Sequence, residues 1–312
     1  MENDVQINLK YFSKMLLIRY FEEKIDWLFS RDMLAGTAHL CIGQEAVAVG
    51  AVSAINSDDF VISTHRGHGH LLAKGADPKL LFCEIMGKET GYCKGRGGTQ
   101  HLCVRDINFL GTNGITGGGM PIATGVGMAL KLQKRQQVVL CFFGDGAANQ
   151  GTFHESLNMA SIWKVPVVYI CENNLYAMSV SVKESMNITD IAVRAGSYGI
   201  PGEIVDGMDV VKVKSLVAAA VQRAREGEGP TLIEAKTYRF CGHSKSDAQT
   251  YRSKEEKELW KMRDPLTTLE NNLISSGLNA QTLNSLKEKA KSAIEESYNF
   301  AVSDTLRNNE KI

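Results

Sequence analysis

Over 312 residues, Lys plus Arg and Asp plus Glu stand at 35 each and 44% of the chain is hydrophobic, enough to bury a large core as one domain or two smaller ones. A formal net charge of zero gives no electrostatic reason to expect nucleic acid or an anionic membrane as partner, and its weak self-repulsion favours association with other chains.

The opening MENDVQINLK has neither the basic nor the apolar region of a secretory signal, and no run of 18 apolar residues occurs. The seven cysteines (41, 83, 93, 103, 141, 171 and 241) are odd in number and form no C-x-x-C pair. Cys141 and Cys171 lie inside apolar runs, which reads as buried, reduced thiols. The expectation is a soluble, cytoplasmic protein.

Apolar residues at helical spacing (Leu9, Phe12, Met15, Leu16, Tyr20) predict one or two helices over 5–34. The small apolar stretch 43–55 reads as a buried helix, and DDFVIS (58–63) as a short strand running into the turn THRGHGH. Pro78 starts a helix to about Met86. Between Gly87 and Gly127 glycine is dense, yet Tyr92, Leu102, Phe109, Ile115 and Met120 are retained. That mixture predicts ordered loops approaching something closely rather than a flexible linker. VVLCFF (138–143) then reads as a strand, followed by GDGAANQG, a helix over about 150–163 and a second strand, PVVYICEN (166–173). Strand, turn, helix and strand make a βαβ unit and imply an α/β fold, a parallel sheet with helices on both faces. A further helix over 210–226 and strand over 231–238 extend it, and charged helices follow Ser253, whose pairing with Glu256 is a capping-box pattern. The expected division is a main domain over 1–270 with a helical extension over 271–312.

The chemistry lies in GDG at 144–146 and NN at 173–174. Each ends a predicted strand, at the sheet edge where open α/β folds bind ligands. Asp145 and Asn174 would face each other across one crevice as hard oxygen ligands suited to Mg2+. Gly144 and Gly146 remove side chains, so backbone amides at the next helix's N-terminus can meet a diphosphate. A dinucleotide fingerprint is the rival, with Glu172 as the ribose-binding acid, but Asn149 stands in place of the third glycine and an acid inside the turn would repel a pyrophosphate unless a cation neutralised it. An Asp that only caps its helix is the plain alternative for GDG alone, and the spaced NN tells against it.

This spacing matches the diphosphate motif of thiamine-diphosphate enzymes. FFGDGAANQGTFHESLNMA, VPVVYICENNLYAMS, HRGHGH, GKETGYCKGRGGTQH, NGITGGGMP and TYRFCGHSKSDAQTYR together resemble the alpha subunits of pyruvate and acetoin dehydrogenases, over about residues 9–270. The resemblance implies Mg2+ held by Asp145, Asn174 and the Tyr176 carbonyl. It implies thiamine diphosphate contacted by His65, Arg66, Gly114, Thr116, Gly144, Gly146, Ala147 and His243, with Met178 beneath it. His243, Ser244 and His68 are the candidate catalytic groups, the first two in a polar loop expected to be mobile until ligand binds. Cys241 stands where pyruvate-type sequences often carry His, and Leu175 and Ala177 where Gly or Arg is frequent.

The glutamate that activates thiamine in single-chain relatives has no obvious place beside a diphosphate unit in 312 residues. A beta subunit in an α2β2 heterotetramer and a separate lipoyl acyltransferase are therefore expected. The expected reaction decarboxylates pyruvate, or cleaves acetoin, and passes the two-carbon unit to lipoamide. The alternatives are a non-oxidative thiamine enzyme and a branched-chain 2-oxo acid enzyme. Of the other conspicuous residues, His65, His68 and His70 read as phosphate-lining rather than zinc-binding, and His39, His101 and His154 as structural. Glu155 and Glu172 can be read as catalytic acids, with helix solvation for Glu155 and strand-end packing for Glu172 as the plain alternatives.

Overall fold

Two apolar runs that alternate their side chains between opposite faces form the middle of the sheet. In the computed structural model, which describes residues 2–305, β3 (Val139–Gly144) and β4 (Val167–Asn173) lie side by side in parallel at the centre of a six-stranded sheet. Leu140, Phe142, Val168 and Ile170 face one core, whereas Val139, Cys141, Phe143, Val167, Tyr169 and Cys171 face the other. A period of two makes a continuous apolar run serve both faces, as a strand buried on both sides requires.

The described chain begins with α1 (Glu2–Phe29), α2 (Glu45–Val52), β1 (Phe60–Ile62), α3 (His68–Ala73), α4 (Pro78–Ile85), β2 (Phe109–Gly111) and α5 (Gly119–Leu132). After β3 come α6 (Gly151–Trp163), β4, the hairpin β5 (Tyr176–Ala177) and β6 (Val180–Ser181), and α7 (Val182–Ser185). The strand β7 (Gly202–Asp206), α8 (Val210–Arg225), β8 (Thr231–Lys236), α9 (Lys254–Lys261), α10 (Pro265–Ser275) and α11 (Ala280–Ser303) complete it. The sheet order is β2-β1-β3-β4-β8-β7, parallel throughout. From β1 the chain moves outward to β2 and then crosses back to β3, so β1 and β3 form the topological switch point.

The expected helices and strands from 58 to 86 and from 138 to 238 are present. Several elements escaped the sequence reading: β2, β7, α5, the hairpin β5–β6, α7, and α3, which begins inside the expected turn THRGHGH. Glycine hid α5, because Gly is a poor helix former. Its use is packing: a Cβ on Gly127 would lie 2.7 Å from Val167 Cγ2, so only glycine lets α5 approach β4 this closely. The expected boundary at residue 270 falls inside α10, and Leu269, Leu273, Leu283 and Ile294 share one core with Phe12 and Met15 of α1. No helix among the described residues is long and apolar enough to cross a membrane, and all seven cysteines are free.

Candidate active site

The carboxyl ends of β1, β3 and β4 converge on a cavity of about 280 Å³ at the switch point. After β3 the chain makes a 3-10 turn, Asp145–Asn149, before α6, so the backbone amides following GDG come from that turn rather than from the α-helix itself. Gly146 is required by the hairpin opposite, since a Cβ there would sit 2.6 Å from Ala177 Cβ. At the end of β4 the two asparagines divide their work. Asn173 is structural: its Nδ2 donates to Glu234 Oε1 at 2.6 Å and its Oδ1 accepts from the Leu175 amide at 3.1 Å. Asn174 is turned into the cavity, buried, with its Oδ1 unpartnered.

Asp145 meets it there. The Asp145 carboxyl is buried, and its Oδ2 is likewise unpartnered. Burial pushes this acid up to about 6, against the pull of its own and the Asn174 backbone amides and of Arg239 and Arg66. Two orphaned oxygens in one cavity, one of them a carboxylate, are a donor set that suits a hard divalent cation. Tyr176 also lines the cavity, and its hydroxyl is drawn away to donate to Glu256 Oε2 at 2.8 Å. Glu256 takes the Tyr238 hydroxyl as well, at 2.6 Å. Ser253 still caps α9 through the Glu256 amide, but Glu256 spends its side chain on the tyrosines, so only half of the expected capping box forms.

The opposite wall is cationic. Arg66 is buried and donates to Leu40 O at 3.0 Å and to His243 O at 2.7 Å. Its Nη2 also lies 3.1 Å from His243 Nδ1. A guanidinium only donates, so His243 Nδ1 accepts and the neutral ring carries its proton on Nε2. Behind the lining residues, Arg239 is fully buried, donates to Met178 O at 2.5 Å and to the Tyr251 hydroxyl at 3.1 Å, and places Nη1 4.0 Å from Asp247 Oδ2, while its Nε has no hydrogen-bond partner. Burial and the Arg66 charge push His39 down to about 3, His65 to about 2 and His243 to about 4. Ring nitrogens of these three histidines lie within 4.8 Å of one another. Neutral imidazoles beside two guanidiniums make a wall that fits an anion far better than a second cation.

His65, Arg66, Thr116, Gly144, Asp145, Gly146, Ala147, Asn174, Tyr176, Met178 and His243 all line the cavity. Gly114 lies between the lining residues Asn113 and Ile115, backed by Gln100 and His101. Met178 adopts a left-handed backbone (φ 55°), as does Leu175 (φ 73°), a conformation uncommon outside glycine. His68 and Ser244 are not brought into the cavity. His68 is fully buried behind it with Nδ1 3.3 Å from Glu22 Oε2, and Ser244 Oγ lies 3.3 Å from Ser246 Oγ beside a separate cavity. Nor do His65, His68 and His70 converge, since His70 bonds Ser63 Oγ at 2.8 Å and lies 3.5 Å from Glu172. Glu172 itself lines the cavity.

The sequence reading missed His39, which packs edge-on against His65 and His243, and Gln44, buried at the cavity. The three histidines are separated by long stretches of chain, so only the fold makes them a group. The loop 239–252 is better anchored than its polarity implies. Asp247 accepts from the His243 amide at 2.6 Å, the Gln249 amide at 2.8 Å and the Tyr251 hydroxyl at 2.5 Å. Arg252 donates to the Arg239 and Cys241 carbonyls and lies over the rings of Tyr176, Tyr238 and Tyr251.

A family model described as "Dehydrogenase E1 component" matches residues 13–310. The alpha subunit of acetoin:2,6-dichlorophenolindophenol oxidoreductase from Bacillus subtilis is 44% identical over 291 residues, 93% of this chain and 87% of the relative. Pyruvate dehydrogenase E1 component alpha subunits are similarly close. That of Porphyra purpurea is 41% identical over 95% of this chain and 88% of its own. The Rhizobium meliloti protein is 43% identical over 95% and 86%.

Proposed function

The chain belongs to the dehydrogenase E1 component family, as an alpha subunit of the pyruvate and acetoin dehydrogenase type, and on that premise we propose that its switch-point cavity holds thiamine diphosphate through Mg2+. The observation that carries this reading is the pair of buried, unpartnered oxygens, Asp145 Oδ2 and Asn174 Oδ1, in one cavity with the buried Arg66 guanidinium. In this reading Asp145, Asn174 and the Tyr176 carbonyl hold the metal. Arg66, His65 and the Gly146 and Ala147 amides bind the diphosphate, with Arg239 adding positive charge from behind and Gly144 leaving room for its approach. Gly114 and Thr116 meet the pyrimidine through backbone, and Met178 supports the ring system from below.

The cofactor supplies the nucleophilic carbon and electron sink that cleavage next to a carbonyl needs, which no side chain offers. The protein binds, orients and shields. His243 presents Nε2–H as a donor, since Arg66 holds its Nδ1 as an acceptor. Ser244 acts from within the loop that carries His243, and His68 supports the site from behind through Glu22. The reaction is decarboxylation of pyruvate, or cleavage of acetoin, with transfer of the two-carbon unit to lipoamide on an acyltransferase. The names of the relatives favour this oxidative reading over the non-oxidative and branched-chain alternatives, and the words "subunit alpha" support a beta partner in an α2β2 assembly.

The test is calorimetric titration of thiamine diphosphate with and without Mg2+. Asp145→Ala is expected to abolish metal-dependent binding while far-UV circular dichroism stays native. Unchanged affinity in the variant would refute Asp145 as a metal ligand and the reading with it.

A further inference from the structure

The cavity holds one more buried polar group that the roles above leave unused. Gln44 is 1% exposed, lines the cavity, and has its Nε2 buried without an acceptor. Its Oε1 accepts from Asn174 Nδ2 at 3.5 Å, a long contact but the one side-chain hydrogen bond found for that amide group. The position of Gln44 is closely determined. It precedes α2, next to Glu45, whose carboxylate takes Arg19 Nε at 2.5 Å and the Gly43 amide at 3.0 Å. Gly43 (φ 99°) permits a turn where a Cβ would fall 2.4 Å from Tyr238 O, and the Phe240 amide donates to Ile42 O at 2.8 Å. The segment is thereby tied to the stretch that carries Arg239 and His243.

An amide has one acceptor end and one donor end, and here the two ends have different tasks. Because Gln44 Oε1 is an acceptor, it requires the NH2 end of Asn174 to face it. The same planar group then aims Asn174 Oδ1 away from Gln44, toward the space beside Asp145. The Gln44 donor is left without an acceptor on a residue that lines the cavity, and a buried N–H2 in that state is destabilising until an oxygen arrives.

We propose that Gln44 is a positioning and binding residue of this site: its carbonyl fixes the Asn174 amide with Oδ1 toward the metal, and its Nε2 donates to an oxygen of the incoming diphosphate. The inference rests on the thiamine-diphosphate reading and adds to it a residue from an element that carries no part of the GDG…NN motif.

The experiment uses the chain purified with its beta subunit and titrates thiamine diphosphate, and separately magnesium pyrophosphate as a probe of the anchor alone, across a series of Mg2+ concentrations. Gln44→Met keeps the length and removes both hydrogen-bonding ends. It is expected to weaken both ligands by about ten- to a hundredfold at limiting Mg2+ and to move the Mg2+ midpoint upward. Gln44→Glu keeps an acceptor for Asn174 but replaces the donor by a carboxylate, so it is expected to weaken pyrophosphate while leaving the Mg2+ midpoint nearer native than the Met variant does. A purely structural role would lower the melting temperature without moving the Mg2+ midpoint. If Gln44→Met does not fold, the Glu variant decides, since native pyrophosphate affinity there overturns the donor role. Affinities within twofold of native in both variants overturn the proposal. Asp145→Asn is titrated alongside: its failure to lose metal-dependent binding would remove the underlying reading, whereas loss there with native Gln44 variants removes only the role given to Gln44.

Discussion

A buried acid whose desolvation outweighs its hydrogen bonds is destabilising when ionised, and Asp145 shows which way that works. Its carboxyl is pushed up to about 6 in the folded chain, above the ordinary value of 3.8, chiefly by burial. Between those values the folded state keeps a proton that the unfolded state has released. Stability contributed by the protonated form is therefore lost as pH rises through that window and is absent above about 6. Asp145→Asn is expected to be more stable than the native chain at pH 8 without ligand, by about 1–3 kcal/mol, with the difference vanishing near pH 4. Urea unfolding of both proteins at the two pH values measures this. An equal or lower stability of the Asn variant at pH 8 would mean that the backbone amides and nearby guanidiniums outweigh the cost of burying the carboxylate. At this scale much was legible from sequence: GDG and NN are local signals whose residue types state their chemistry. His39 and Gln44 were not legible. A histidine or glutamine outside a motif looks like any other until the fold places it against a cavity.

At the scale of elements, runs of apolar residues with clean periodicity gave β3, β4, β8 and α8 directly, because burial on both faces of a strand or one face of a helix leaves a pattern in the chain. The pattern fails where backbone approach decides. α5 carries Gly125 and Gly127 and so looked like loop, although Gly127 is there to let the helix lie against Val165 and Val167. It fails again at 239–252, where the anchors are polar. Asp247 gathers three hydrogen bonds over four residues in each direction, and Arg252 stacks among tyrosines from three different segments. Hydrophobicity alone therefore made the loop look free. Asp247→Ala is expected to speed limited proteolysis within 240–252 by roughly tenfold or more, since losing several bonds lowers the local opening free energy. Thiamine diphosphate with Mg2+ is expected to restore part of the protection by engaging His243. Cleavage at the native rate in the variant would show that Asp247 does not hold the loop.

For the whole molecule, one sheet separates two cores, and the switch point between β1 and β3 brings residues from both halves of the chain to one cavity. Asp145 and Asn174 come from the central βαβ unit, Arg66 from the first crossover, and His243 from beyond β8. In our account the assembly binds and orients the cofactor, and it needs a second chain to become active. The most direct test measures reduction of 2,6-dichlorophenolindophenol with pyruvate or acetoin, in the presence of thiamine diphosphate and Mg2+, by the chain alone and by the chain co-purified with its beta subunit. The account predicts no turnover above background for the isolated chain and robust turnover for the pair, lost again in Asp145→Ala. Full turnover by the isolated chain, or by the Asp145→Ala pair, would contradict it.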